Sequence, residues 1–147
     1  MKAMIVAVTV AALMTGGSAG CSSGPPPAKP KRGVLPAGTA HLTIEGNDAG
    51  TTGAVECAAA GSMTTIRTGD NNAGVTVGLS NKIRLTVDYV RIRNLNGFSG
   101  DYNLGLEGDQ ATAALTDSTY HINGTAFGFK QESIAPTTQQ FVIAVAC

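Results

Sequence analysis

From His41 onward, short runs of alternating apolar and polar residues are separated by clusters of Gly, Asn and Asp. A period of two puts every second side chain on one face of a strand, whereas a helix needs apolar residues three and four apart. Leu42 and Ile44 alternate in this way, as do Val55 and Cys57, then Val75, Val77 and Leu79, and finally Phe141, Ile143, Val145 and Cys147. Turn chemistry falls at Gly46–Gly50, Gly69–Gly74, Asn94–Gly97, Gly108–Gln110 and Thr116–Ser118. Only Ala58–Ala60 leans toward a helical turn. The pattern predicts an all-β domain, an antiparallel β-sandwich or half-open barrel of about eight short strands.

The longest patterned run is Asn81–Arg93. Ile83, Leu85, Val87 and Tyr89 share one parity and Val90 and Ile92 the other. A change of parity within a strand would turn its apolar set to the wrong face, so a β-bulge or sharp bend is expected between Tyr89 and Val90. Strands are also expected at Tyr102–Glu107 and Ala111–Leu115, and a loop at Lys130–Thr138.

Tryptophan is absent and rings are few, so the core must come from Val, Ile, Leu and Ala. In a small domain such a core is marginal, and a covalent staple is useful. Cys57 and Cys147 both end alternating runs. As an exported pair without a third competitor they most simply form a disulfide, two free thiols being the alternative. Two cysteines and the distant His41 and His121 lack zinc-ligand spacing.

Export is written at the N-terminus. Lys2 precedes the apolar run Met4–Met14, and small residues lead to Ala19-Gly20-Cys21. Eleven residues of helix rise about 17 Å, short of the ~30 Å hydrocarbon core of a bilayer. A cleaved signal peptide over residues 1–20 therefore fits better than a permanent span. A cysteine at that point is the bacterial lipoprotein pattern, in which the Cys21 thiol takes a diacylglyceryl group and two or three acyl chains hold the protein on the membrane. Ser18 departs from the usual leucine, and cleavage near Ala19 by the ordinary signal peptidase is the alternative. Residues 21–40 hold five of the six prolines and read as a flexible tether, with residues 41–147 as the β domain.

Charge is split between these parts. The tether carries +3 through Lys29, Lys31 and Arg32, while six cationic side chains against ten acidic ones leave the domain at −4. The tether cations either attract anionic lipid or only keep the spacer soluble. A net-acidic domain gives no electrostatic case for nucleic acid. Lys82, Arg84, Arg91 and Arg93 alternate with apolar residues and make a possible anion-docking stripe, or else solubilise the strand and block edge pairing. His41 and His121 lack a neighbouring nucleophile motif, and His121, between Tyr120 and Ile122, is expected on the sheet's other face. Asp48, Asp70, Asp101 and Asp109 sit in turn-like stretches without the spacing of a calcium loop; turn formation is their ordinary use. Asn123-Gly-Thr125 reads as a turn or bulge. No pair of groups has the signature of an enzyme, and no cofactor is implied.

Several stretches, in order and over essentially the whole domain, resemble the mycobacterial LpqH-type lipoprotein antigens, the 19 kDa antigen family. They are Leu42–Asp48 running on to Gly53–Cys57, then Asn94–Gly97, Tyr120–Gly128 and Phe141–Cys147. The resemblance implies a lipid-anchored envelope protein on the extracytoplasmic face of the cell membrane, with the cell wall or the medium as other destinations. It also implies that Cys57 and Cys147 are the family's pair, and that the molecule is a surface antigen without enzymatic activity. Immune recognition, chiefly of the acyl anchor by a Toll-like receptor, and adhesion to host cells come with the family. The expected function is a non-catalytic binding module, with a carrier of envelope lipid or glycolipid between the sheets as the alternative. The partners so implied are the membrane, host receptors and envelope glycolipids. The Pro- and Lys-rich tether departs from the Thr/Ser-rich one of relatives, so mannosylation there is not carried over.

Overall fold

A computed structural model describes Gly24, residues 31–106 and residues 108–147. The signal peptide, Cys21, Lys29 and most of the tether lie outside the described residues, as does Glu107. Ten strands follow one another: β1 Ala40–Ile44, β2 Asn47–Thr52, β3 Val55–Ala60, β4 Met63–Gly69, β5 Gly74–Ser80, β6 Thr86–Leu95, β7 Phe98–Asn103, β8 Thr112–Thr116, β9 Thr119–Lys130 and β10 Pro136–Ala146. All pairings are antiparallel, in the order β2-β1-β10-β9-β7-β6-β5-β4-β3, with β8 beside β9. Strand β9 is shared: Thr119–Asn123 pair with β8, and Phe127–Lys130 pair with β7 along the same edge. The result is one continuous, coiled sheet, a nearly closed barrel rather than two separate sheets.

Alternation fills the interior. Val77 and Val90 are opposite one another and fully buried, and Ile66, Ile122, Ile143 and Val145 are buried with them. Phe98 and Phe141 are the largest wholly buried side chains. Hairpins are tight because residues that tolerate positive φ stand at their tips. Glu45-Gly46 joins β1 to β2, and Asn96-Gly97 joins β6 to β7, with φ of 48° and 75° in the second case. Both central residues positive is the geometry whose twist suits a two-residue hairpin.

Several expectations from the sequence are corrected. Of the strand expected at Tyr102–Glu107, Tyr102 and Asn103 are strand, as the end of β7. Asn123-Gly-Thr125 lies inside β9 in unbroken register with β10, Ala58–Ala60 are strand in β3, and β10 begins at Pro136, within the expected loop Lys130–Thr138. Gly46–Gly50 is not a turn throughout: the turn is confined to Glu45-Gly46, and Asn47–Thr52 is a strand. Strand β2 lies at the edge of the sheet and is mostly exposed, so neither face needed an apolar alternation to mark it. Ile83 is not on the apolar face but 98% exposed, because the β5–β6 ladder starts only at Ser80 and Thr86. Tyr89 also leaves the core side. Gly78 pairs with Tyr89 and Leu79 with Val87, so Asp88 is the extra residue of a bulge. Val87 and Val90 therefore both point inward, and Tyr89 lies over the opposite face. A bulge was needed where the parity changes; it falls one position earlier than the sequence pattern places it.

Lys31 to Thr39 is laid against the domain. Leu35 N–H donates to Thr119 Oγ1 at 3.0 Å, Gly38 N–H donates to the Ala146 carbonyl at 2.9 Å, and Lys31 Nζ lies 3.5 Å from Asp117 Oδ2. Ala40, the last residue of the expected tether, is fully buried as the first of β1.

Candidate functional site

Directly paired residues of an antiparallel sheet share a face. Following the register outward from β3 gives one unbroken row across the outer face: Glu56, Arg67, Thr76, Arg91, Asp101 and Phe127. Six strands about 4.8 Å apart make this row roughly 24 Å long. It forms the floor of an open groove of about 1310 Å³, which Tyr89, Arg93 and Phe129 also line.

The charges in the groove are not cancelled within it. Among the described residues the one Lys or Arg side chain within 4.0 Å of a carboxylate is Lys31, beside Asp117, and His41 Nε2 approaches Asp48. Arg67 and Arg91 thus lie beside Glu56 and Asp101 in the register without an N–O contact within 4.0 Å. Arg93 Nη2 donates to the backbone carbonyl of Asp70 at 3.1 Å, which fixes it at the rim. At one end Phe127 and Phe129 are 59% and 50% exposed. At the centre Tyr89 lies flat over Gly78, where a Cβ would run into its ring. The Arg91 guanidinium sits 5.7 Å from the centroid of that ring, within cation–π range. Gly78 is therefore what allows an aromatic ring to lie against the sheet here.

The loop Asp70–Ala73 forms the wall beside Arg93. Asp70 Oδ1 accepts hydrogen bonds from the N–H groups of Asn72 at 2.7 Å and Ala73 at 2.9 Å. Those two bonds, with Arg93 adding a smaller attraction, hold the Asp70 carboxyl below its ordinary range. Asp48 does similar work elsewhere, accepting from Gly50 N–H at 2.7 Å. Asp101, by contrast, belongs to strand β7 and to the groove rather than to a turn.

Of the four cations in the expected stripe, Arg91 and Arg93 face the groove. Lys82 and Arg84 stand in the loop before β6 and are exposed. Arg84 and Arg91 are seven positions apart in the chain, about 23 Å at the rise of an extended strand, so the four do not form one stripe. Arg67, Glu56 and Phe127 were missed by sequence reasoning. Each is an ordinary polar-side or outward residue of its own strand, and only the order of strands in the sheet puts them in one row.

His41 and His121 do share a face, on either side of Ala144. Two strand spacings hold them about 10 Å apart at the backbone, and His41 Nε2 lies 3.3 Å from Asp48 Oδ1. A second, smaller cavity of about 340 Å³ opens where β8 passes the ends of β4 and β5, lined by Leu79, Leu85, Ala113, Leu115 and Tyr120 among others.

Cys57 and Cys147 form a disulfide, with S–S 2.04 Å and Cα–Cα 5.9 Å. Cys57 is opposite the buried Ile66 and shares its face, though at the sheet edge Cys57 itself is exposed. Strands β3 and β10 are six places apart in the sheet order, and the bridge ties the edge strand β3 to the residue that follows β10.

Residues 33–147 match the family model described as Mycobacterium 19 kDa lipoprotein antigen. A putative lipoprotein of Mycobacterium avium subsp. hominissuis is 32% identical over 149 aligned residues, covering 100% of this chain and 97% of its own. The lipoproteins LpqH of Mycobacterium bovis and Mycobacterium tuberculosis are each 30% identical over 160 aligned residues, covering 99% of this chain and 98% of theirs. The match begins where the chain docks onto the sheet and ends on the stapling cysteine, and with similarity along its whole length this chain belongs to the Mycobacterium 19 kDa lipoprotein antigen family.

Proposed function

We propose that the protein is a lipid-anchored antigen of the cell envelope, held by acyl chains on Cys21, whose β domain faces outward as a non-catalytic binding module. The observation that carries the binding reading is the groove. It is a long, preformed concavity on a stiff sheet, whose charged groups are left free instead of paired with one another. Rigid sheets are good platforms for recognition because little ordering entropy is lost when a ligand arrives. The family and the Ala19-Gly20-Cys21 sequence support the anchor, and two or more acyl chains give stable membrane attachment where one does not.

Two measurements test the proposal. Full-length protein partitions into Triton X-114 detergent, and Cys21→Ala moves it to the aqueous phase; a Cys21→Ala protein that stays in detergent overturns the anchor. The Cys21→Ala protein is then incubated with envelope fragments and with host cells. The groove double variant R67A/R91A loses retention if the groove is the working face; equal retention of the double variant overturns that assignment.

The smaller cavity favours a second reading, a carrier of lipid or glycolipid. Leu79, Leu85 and Leu115 give it apolar walls, and its volume is at the lower end of small-molecule pockets. Native mass spectrometry of protein taken from its host membrane shows co-purified lipid on that reading, and bare protein counts against it.

A further inference from the structure

The groove itself says what class of ligand suits it. Its floor and walls carry three guanidiniums, Arg67, Arg91 and Arg93, and three carboxylates, Glu56, Asp70 and Asp101. The charges sum to zero, and Arg67 and Arg91 each have a carboxylate as a neighbour in the register, so an extended polyanion meets a repelling carboxylate beside each of these arginines. An acyl chain is no better served, because a solvent-open floor of charged side chains offers it no desolvated wall. A polyhydroxyl chain suits both kinds of group at once. Arginine can only donate hydrogen bonds and an ionised carboxylate can only accept them, while each sugar hydroxyl does both.

The aromatic side chains point the same way. Phe127 closes the polar row and Phe129 stands one pleat further along β9, both about half exposed. Exposed rings of this size, grouped at a concave site, mark a binding surface more often than an accident of composition. They offer flat apolar faces to the C–H faces of pyranose rings, and Tyr89 adds a third ring, held flat by Gly78 and Arg91. A floor of roughly 24 Å has room for several sugar rings in succession. From this combination we infer that the groove binds a linear, neutral polysaccharide, stacked on Phe127 and Phe129 and hydrogen-bonded along Asp101, Arg91 and Arg67.

The inference rests on the groove being the working face, and its test keeps the two apart. Cys21→Ala protein labelled with nitrogen-15 is titrated with neutral linear pentasaccharides of the α-glucan, α-mannan and β-galactan types. A fully sulfated pentasaccharide and phosphatidylglycerol vesicles are titrated in parallel. The expected result is that at least one neutral pentasaccharide shifts the amide signals of β6, β7 and β9 around the row, with affinity little changed between low and high salt. F127A weakens it tenfold or more, and F127W retains it. Since Phe127 is exposed, an unchanged spectrum outside the groove shows that F127A has folded. Groove signals moved only by the sulfated sugar or the vesicles overturn the neutral-glycan assignment but leave the groove a binding face. Groove signals moved by none of the probes overturn the glycan assignment, and the retention assay with R67A/R91A then decides the groove separately.

Discussion

Asp70 concentrates several small effects in one exposed side chain. Its carboxylate accepts two backbone N–H bonds in the β4–β5 loop, and its pKa is lowered mainly for that reason. A group whose folded pKa lies below its unfolded value stabilises the fold at pH above the unfolded value and loses that contribution as pH falls through the folded one. In D70N the side-chain oxygen still accepts, but without charge. The variant is less stable than the parent at neutral pH, and the gap between them narrows below about pH 4; urea titrations at a series of pH values measure it. Gly128 is a second sensitive position, because a Cβ there collides with the Ser99 carbonyl and Gly100. Neither obstacle is a movable side-chain tip. G128A is expected to cost roughly 3 kcal/mol, as overpacking against backbone does, read as a drop in the urea midpoint at constant m-value.

At the scale of the element, the hairpin at Asn96-Gly97 was plain from the residues alone, since few pairs other than Asn-Gly accept positive φ twice in succession. G97A forces a side chain into that region and should cost about 1 kcal/mol, again by urea titration. Strand β6 shows how far local pattern reading reaches. The conflict of parity between Val87 and Val90 revealed a bulge, because both side chains are too apolar to leave the core. Its position was less certain, since Tyr89 is amphipathic enough to suit either face. Only the neighbouring strand settles the matter, with Gly78 providing the flat place where that ring lies. Strand β2 escaped notice for the opposite reason: an edge strand with both faces wet leaves no periodic trace. The groove was the least legible feature. Glu56, Arg67, Arg91, Asp101 and Phe127 come from five strands, and their alignment follows from long-range register that no window along the sequence contains. Arg91 and Arg93 were found because they are close neighbours in the chain; Arg67 and Phe127 had no such neighbour.

For the molecule as a whole, the strand order ends at the edges β2 and β3, β8 is paired on one side only, and the coil is held by a bridge between distant strands. The cysteines are 90 residues apart, and a loop of that size contributes on the order of 4 to 5 kcal/mol in the chain-entropy model. A C57A/C147A protein, or the parent in reductant, should lose stability by about that amount while keeping its far-UV spectrum, as followed by guanidinium unfolding with circular dichroism. Folding should also be slow for the size of the domain. Strand β1 pairs with β2 and with β10, so its second partner is nearly the whole domain away in sequence, and non-local pairings of this kind lower folding rates.

The meeting of β1 with β10 also decides where a mechanical load would enter. Ala40, the first residue of β1, pairs with Val145, two residues before the stapling Cys147. Tension transmitted through the N-terminal segment, as flow or friction would apply it to a tethered molecule, first reaches the corner where the covalent bridge is. Hydrogen bonds of the β1–β10 ladder lie beyond that point, and the bridge passes part of the pull across to β3. In an optical trap, with one handle on the N-terminal segment and the other on the β9–β10 loop, the oxidised domain should release much less chain before rupture than the reduced one. The staple would then serve as a strain relief at the place where the leash is fastened.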